Sequence, residues 1–140
     1  MNDRYLCKAK RIDNGEWVVG LLWKKKYNSD KIFISCFPDK DDNEEVFGID
    51  PNTICQCTRR KDEENKLIYE HDIVSYLDAY STENGWSESY QVGEVLWDDE
   101  TLSFQVTGRL SAESYEVLEG TDCKVLGNIF DNPELLEVEV

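Results

Sequence analysis

Short stretches rich in β-branched and aromatic residues recur along this 140-residue chain, and turn-forming clusters separate them at intervals of about 8–12 residues. That rhythm predicts a mainly β fold of the barrel or sandwich kind, with a β-rich α+β arrangement as the other possibility. Residues 5–23 read as a hairpin in which Tyr5 to Ile12 leads in, Glu16 to Trp23 leads out, and Asp13, Asn14 and Gly15 turn the chain. Asn-Gly is the strongest short hairpin signal, because a two-residue turn of that type needs positive φ at both positions. Lys24 to Lys26 read as a loop or a charged edge that discourages sheet pairing. Lys31 to Phe37 is the next strand, ended by Pro38, and Asp39 to Glu45 is a charged loop. Val46 to Ile49 is a short strand and Asp50, Pro51 and Asn52 a turn. Thr53 to Thr58 alternates, with Ile54 on one face and Cys55 and Cys57 on the other.

In the second half, Arg59 to Lys66 reads as a polar turn, and Leu67 to Leu77 as a bend followed by a strand from Asp72. Asp78 to Ser89 reads as a loop holding Gly85 and Trp86. Tyr90 to Trp97 and Leu102 to Val106 form a hairpin around Asp98 to Thr101, and residues 108–121 a loop or one short helical turn around Ser111 to Tyr115. Cys123 to Phe130 closes the set. Pro133 breaks that strand, since proline removes a donor and restricts the residue before it. Glu134 to Val140 then reads as a new strand, with Leu136, Val138 and Val140 on one side and Glu137 and Glu139 on the other. Such a strand seeks a sheet, either in its own chain beside Lys8 and Lys10 or in a neighbouring subunit. Alternation places Val74, Val92, Val95, Phe104, Val106, Val125 and Ile129 in the core of the C-terminal half. The organisation expected is a lobe over residues 1–66 and a second over 67–140, sharing one unit.

The formal net charge is −15, unevenly spread: residues 1–35 hold 8 Lys/Arg against 4 Asp/Glu, and residues 36–140 hold 7 against 26. A net of −19 over that second stretch repels polyphosphate, so duplex DNA is disfavoured as a partner. The same field suits a solvated surface, a DNA mimic or a basic partner. Only the basic segment with Lys8, Lys10, Arg11 and Lys24 to Lys26 favours nucleic acid. No apolar run approaches the roughly 20 residues of a membrane span, and the first residues carry no apolar leader, so the expected location is cytoplasmic. Five cysteines in no regular framework fit reduced thiols.

Chemistry-bearing sets are sparse. Glu70, His71 and Asp72 are consecutive, and adjacency on a strand turns His71 away from its neighbours, so the two acids read as turn-capping groups. Asp98, Asp99 and Glu100 read as a solvated turn, since a calcium site needs six to eight oxygens. With one histidine there is no Ser/His/Asp or Cys/His set, and no glycine-rich phosphate loop. No catalytic, cofactor-binding or metal-ligating residue is therefore assigned. Trp23, Tyr80, Trp86 and Tyr90 are candidates for a protein interface, Trp86 because it sits in a polar stretch. Either it anchors a partner or its loop folds back and lids the core.

Three strings then stand out: Asp62 to Val74 (DEENKLIYEHDIV), Gly93 to Asp99 (GEVLWDD) and Leu126 to Leu136 (LGNIFDNPELL). Together they strongly resemble the YopX-like family of phage and prophage proteins, and Arg11 to Trp17 and Asp50 to Gln56 also look like family pieces. The resemblance implies a β-rich fold with an SH3-like barrel in the C-terminal half and a gene carried by phages or prophages; it brings no activity, substrate or cofactor. Family members usually carry glycine where this chain has Arg59, Asn65 and His71. Asn65 can take the left-handed conformation at modest cost, whereas Arg59 cannot, so the backbone at Arg59 is expected to depart from the family's. The function expected is a non-enzymatic accessory protein that binds another protein or forms a homo-oligomer, with Tyr80, Trp86, Tyr90, Leu136, Val138 and Val140 as candidate contacts. The alternatives are a small-ligand enzyme of unknown reaction and an acidic DNA mimic or nucleic-acid-associated protein.

Overall fold

The computed structural model of the protein describes residues 5–25, 28–36, 44–108, 114–116 and 123–137. Among them the strands are β1 (Cys7–Lys10), β2 (Trp17–Lys25), β3 (Asn28–Cys36), β4 (Glu45–Ile49), β5 (Cys55–Lys61), β6 (Leu67–Tyr69), β7 (Asp72–Thr82), β8 (Gly85–Asp98), β9 (Ser103–Gly108), β10 (Ser114–Glu116) and β11 (Cys123–Asn128). The fold is mainly β and every ladder is antiparallel. No helix among the described residues is long and apolar enough to cross a membrane. The chain divides into two units, Met1–Cys57 and Thr58–Val140.

In the first unit the strands lie in the order β4-β3-β2-β1-β5. The β1–β2 turn is wider than Asn-Gly predicts. Gly15 alone takes a positive φ, 73°, while Asn14 does not. Gly15 N–H donates to Arg11 C=O at 3.0 Å, and Asn14 Oδ1 accepts from Glu16 N–H at 2.9 Å. Asn14 thus serves as an acceptor rather than as a left-handed turn residue. The outermost strand returns to the first: Arg11 bridges Ile49, Ile12 N–H donates to Gly48 C=O, and Asp50 N–H donates to Lys10 C=O. This curl closes over Ala9, Ile34 and Ile49, all fully buried, with Val18, Ile32, Cys36 and Ile54 against them. Burying each isoleucine contributes about 1.5–3 kcal/mol. Ile54 therefore belongs to this core, while Cys55 and Cys57 are buried as small apolar groups.

In the second unit the order is β10-β9-β8-β7-β11. The sheet is open, so the closed SH3-like barrel expected of this half is not formed by the described strands. Its core is Ile68, Val74, Tyr76, Val95, Val106 and Cys123, with Phe104 and Val125 packed on them. Val92 pairs with Ser75, one residue out of phase with the Val74–Gly93 pair, so it faces the other side and is half-buried. Ile129 follows β11 and is also half-buried.

Four local expectations are corrected. Arg59 to Lys61 continue β5 instead of turning, and the turn is confined to Asp62 to Lys66. Asp78 to Ser89 is a hairpin end, not a loop: β7 runs to Thr82 and β8 begins at Gly85. Ser114–Glu116 is a strand paired to β9 rather than a helical turn. Pro133–Leu136 is a 3-10 turn, so the strand expected from Glu134 does not exist there. Proline at its first position presets φ for that turn. Glu137 is extended, and Val138 and Val140 lie outside the described residues.

Candidate interaction surface

The long hairpin decides where the aromatic candidates sit. β11 pairs β7 only over Asp72 to Tyr76, and β9 pairs β8 only over Gly93 to Asp98. Beyond those limits β7 and β8 pair with each other, from Leu77↔Tyr90 to Thr82↔Gly85. Among the described residues the hairpin end is thus a ribbon two strands wide. Its turn is Glu83-Asn84, with Gly85 at φ 112°, a conformation that favours glycine. Tyr80 pairs with Ser87 and Trp86 with Ser81, which puts both on this ribbon near its tip. Their side chains lie outside what the structure describes. Tyr90 is 68% exposed, beside half-buried Leu77. Leu136 sits apart from the ribbon in sequence, half-buried in the 3-10 turn. Trp23, in the first unit, stacks on Phe33 at 4.7 Å.

Charge separates by unit. Met1–Cys57 holds 9 Lys/Arg against 10 Asp/Glu, a net of −1, and Thr58–Val140 holds 6 against 20, a net of −14. Nearly all the net negative charge therefore belongs to the unit that carries the ribbon.

Of the consecutive Glu70, His71 and Asp72, the last two take structural roles. Asp72 is buried and its Oδ2 accepts Tyr69 N–H at 2.8 Å. His71 takes φ 70°, which turns its ring to Glu94, Nδ1 to Oε2 at 2.9 Å. Its ring meets Phe130 edge-on at 5.7 Å, its N–H donates to Val95 C=O, and its C=O accepts from Ile129 N–H. Sequence reasoning missed Glu94, because only the sheet register, Ile73↔Glu94, brings that carboxylate near. The Glu94 hydrogen bond raises the His71 imidazole above its ordinary value; burial opposes this, and the charges of Glu70, Glu94 and Asp72 add to it. Among the described residues no group of three His, Cys, Asp or Glu is placed to hold a metal ion. Burial, with the charges of Asp62, Glu63 and Asp72, pushes the Cys123 thiol up to about 11, which leaves it without thiolate character near neutrality.

The acids at the β8–β9 tip cap their own turn. Asp98 Oδ1 accepts Glu100 N–H at 2.9 Å, and Asp99 Oδ1 accepts Trp97 Nε1–H at 2.7 Å.

The most distinctive string is likewise architectural. Asn128 Oδ1 accepts from the backbone N–H groups of Phe130 and Asp131, and Asn132 N–H donates to Asn128 C=O. Asn132 Oδ1 accepts Asn128 N–H at 3.3 Å. A Cβ on Gly127 would lie 2.3 Å from that same oxygen, so any side chain there forces Asn132 to move. Gly127, Asn128, Asn132 and Pro133 together build a self-capped exit from β11. Arg59, Asn65 and His71 have positive φ of 67°, 66° and 70°. Arg59 takes the left-handed conformation despite its cost to a residue with a side chain.

No curated protein matches the chain. The YopX protein family matches over residues 8–137. With that match spanning nearly all of the sequence, the chain belongs to the YopX family.

Proposed function

We propose that this protein is a non-enzymatic accessory protein of phages or prophages that binds a basic partner protein through the β7–β8 ribbon. The observation that carries this reading is the ribbon itself, which runs past its neighbouring strands and bears Tyr80, Trp86 and a 68% exposed Tyr90. Aromatic side chains supply large contact area at low entropic cost and dominate interface energetics. A two-stranded ribbon is marginal alone, so docking against a partner would stabilise it. The net of −14 in the same unit favours encounter with a positively charged surface and fixes its orientation.

The test is a paired capture from bacterial host lysate. One bait is the wild-type chain and the other carries Tyr80→Ala, Trp86→Ala and Tyr90→Ala, both checked for the same circular dichroism. The reading expects a basic protein retained by the first bait and lost by the second. Identical captured sets from the two folded baits would overturn it.

A further inference from the structure

Two half-buried rings of the first unit are covered by the chain's own cations. The Nζ atoms of Lys8 and Lys10 lie 4.9 and 5.4 Å from the Trp17 ring centroid, and the Arg11 guanidinium carbon lies 4.3 Å from that of Phe47. Trp97 of the second unit is 43% exposed, and among the described residues no cation stands over it. Its own sheet has none nearby to offer. Residues 67–108, which run from β6 to β9, hold nine Asp/Glu and no Lys or Arg. The ring is nevertheless held in place at the β8–β9 tip. Phe104, its register partner, meets it edge-on at 5.1 Å, and its Nε1–H donates to Asp99 Oδ1 at 2.7 Å. That bond sets a carboxylate at the indole edge and polarises the ring toward a cation.

A second apolar residue stands on the same tip. Leu102 is 72% exposed, so its side chain gains little burial from its own chain. Asp99 and Glu100, between Trp97 and Leu102 in the turn, are exposed as well. An exposed indole and an exposed leucine flanked by carboxylates complement a segment that is both cationic and apolar. We propose that the β8–β9 tip binds an arginine-bearing segment of another protein, with the guanidinium stacked on Trp97 and paired with Asp99, and an adjacent apolar side chain resting on Leu102. Arginine suits the tip better than lysine, because its planar group stacks on a ring while its N–H groups reach a carboxylate beside it. Nucleic acid, the other ligand that stacks on exposed rings, would bring phosphates against the nine acids. β8 carries the ribbon at its Gly85 end and this tip at its Asp98 end, so the proposal does not depend on the ribbon.

Nuclear magnetic resonance on the full chain tests this with a capped pentapeptide in which two arginines flank a leucine. The indole Nε1–H signal of Trp97, assigned by its loss in Trp97→Phe, and the Leu102 methyl signals should shift on titration. The same peptide with citrulline in place of arginine should leave them unmoved. Asp99→Asn keeps the packing of Trp97 on Phe104 and should weaken binding by about two- to fivefold, as should Trp97→Ala. Leu102→Gly should bind more weakly while melting no lower than the wild type, which separates a lost contact from a lost fold. The proposal is overturned by the absence of any shift at millimolar peptide, by equal shifts with the citrulline peptide, or by unchanged affinity in folded Asp99→Asn. Trp97 shifts that calcium chloride produces and the peptide does not would also overturn it, and would make the tip a metal-ion site instead.

Discussion

Asp62 Oδ2 accepts the backbone N–H of Val125 at 3.0 Å, across 63 residues of sequence. The other oxygen, Oδ1, accepts the N–H groups of Glu64 and Lys66, and Glu63 N–H donates to Cys123 C=O. Val125 and Cys123 belong to β11, an outer strand of its sheet. A single buried carboxylate thus tightens its own turn and also covers a sheet edge that would otherwise recruit another strand.

Asp62→Ala should therefore cost about 2–4 kcal/mol, because three N–H groups lose a charged acceptor. It should also increase aggregation. Urea denaturation and light scattering check both. Burial alone would raise the Asp62 carboxyl, but the hydrogen bonds from Val125, Lys66 and Glu64 hold it below the ordinary carboxylate range. Its contribution is present above the unfolded value near 3.8 and is lost as pH falls through the lower folded value. The acid limb of a stability profile should accordingly shift in Asp62→Asn.

His71 has the opposite sign. Its pKa is raised in the folded state, so its contribution is full below the unfolded value of 6.5 and is lost as pH rises through the folded value. As pH rises above about 6.5, the urea midpoint should decline for the wild type and flatten in Glu94→Gln, which removes the paired charge. A slope unchanged by that substitution would show that the His71–Glu94 pair is not its source.

Left-handed backbone at Arg59 and Leu102, φ 67° and 52°, costs each residue about 1–2 kcal/mol, partly offset by the unfolded-state entropy that glycine would add. Arg59→Gly and Leu102→Gly should each raise stability by about 0.5–1 kcal/mol, read as a higher melting temperature. His71→Gly should gain less, since it gives up the Glu94 bond along with the strain.

Gly127→Ala should be destabilising by about 1–3 kcal/mol, because the new methyl group meets Asn132 Oδ1 at 2.3 Å and the close turn must open. Pairing it with Asn132→Ala should recover part of the loss, a coupling that a double-mutant cycle measures.

The β class and most strand positions were legible because alternation and turn chemistry are local. The strand from Asp72, the β8–β9 hairpin and the core placement of Val74, Val95 and Val106 all follow from period-two patterning. What could not be read was long-range. The polar residues 78–89 carry no apolar alternation, so only pairing of β7 with β8 shows that they extend the hairpin. The edge cover at Asp62, the His71–Glu94 contact and the Arg11–Ile49 bridge join residues far apart in sequence. The tail misled for a different reason. Leu136 alternates with its neighbours like a strand residue, but Pro133 starts a 3-10 turn first. Of the candidate contacts, Tyr90 was named for its aromatic character alone, whereas its setting on a ribbon is visible only from the pairing of β7 with β8.

Amide hydrogen exchange across the hairpin, with and without the captured basic partner, tests the proposed function most directly. Residues 77–90 should exchange quickly in the free protein, since among the described residues no third strand pairs with this ribbon, and should slow on binding. Protection that appears elsewhere while residues 77–90 exchange at the same rate as before would contradict the ribbon as the binding surface.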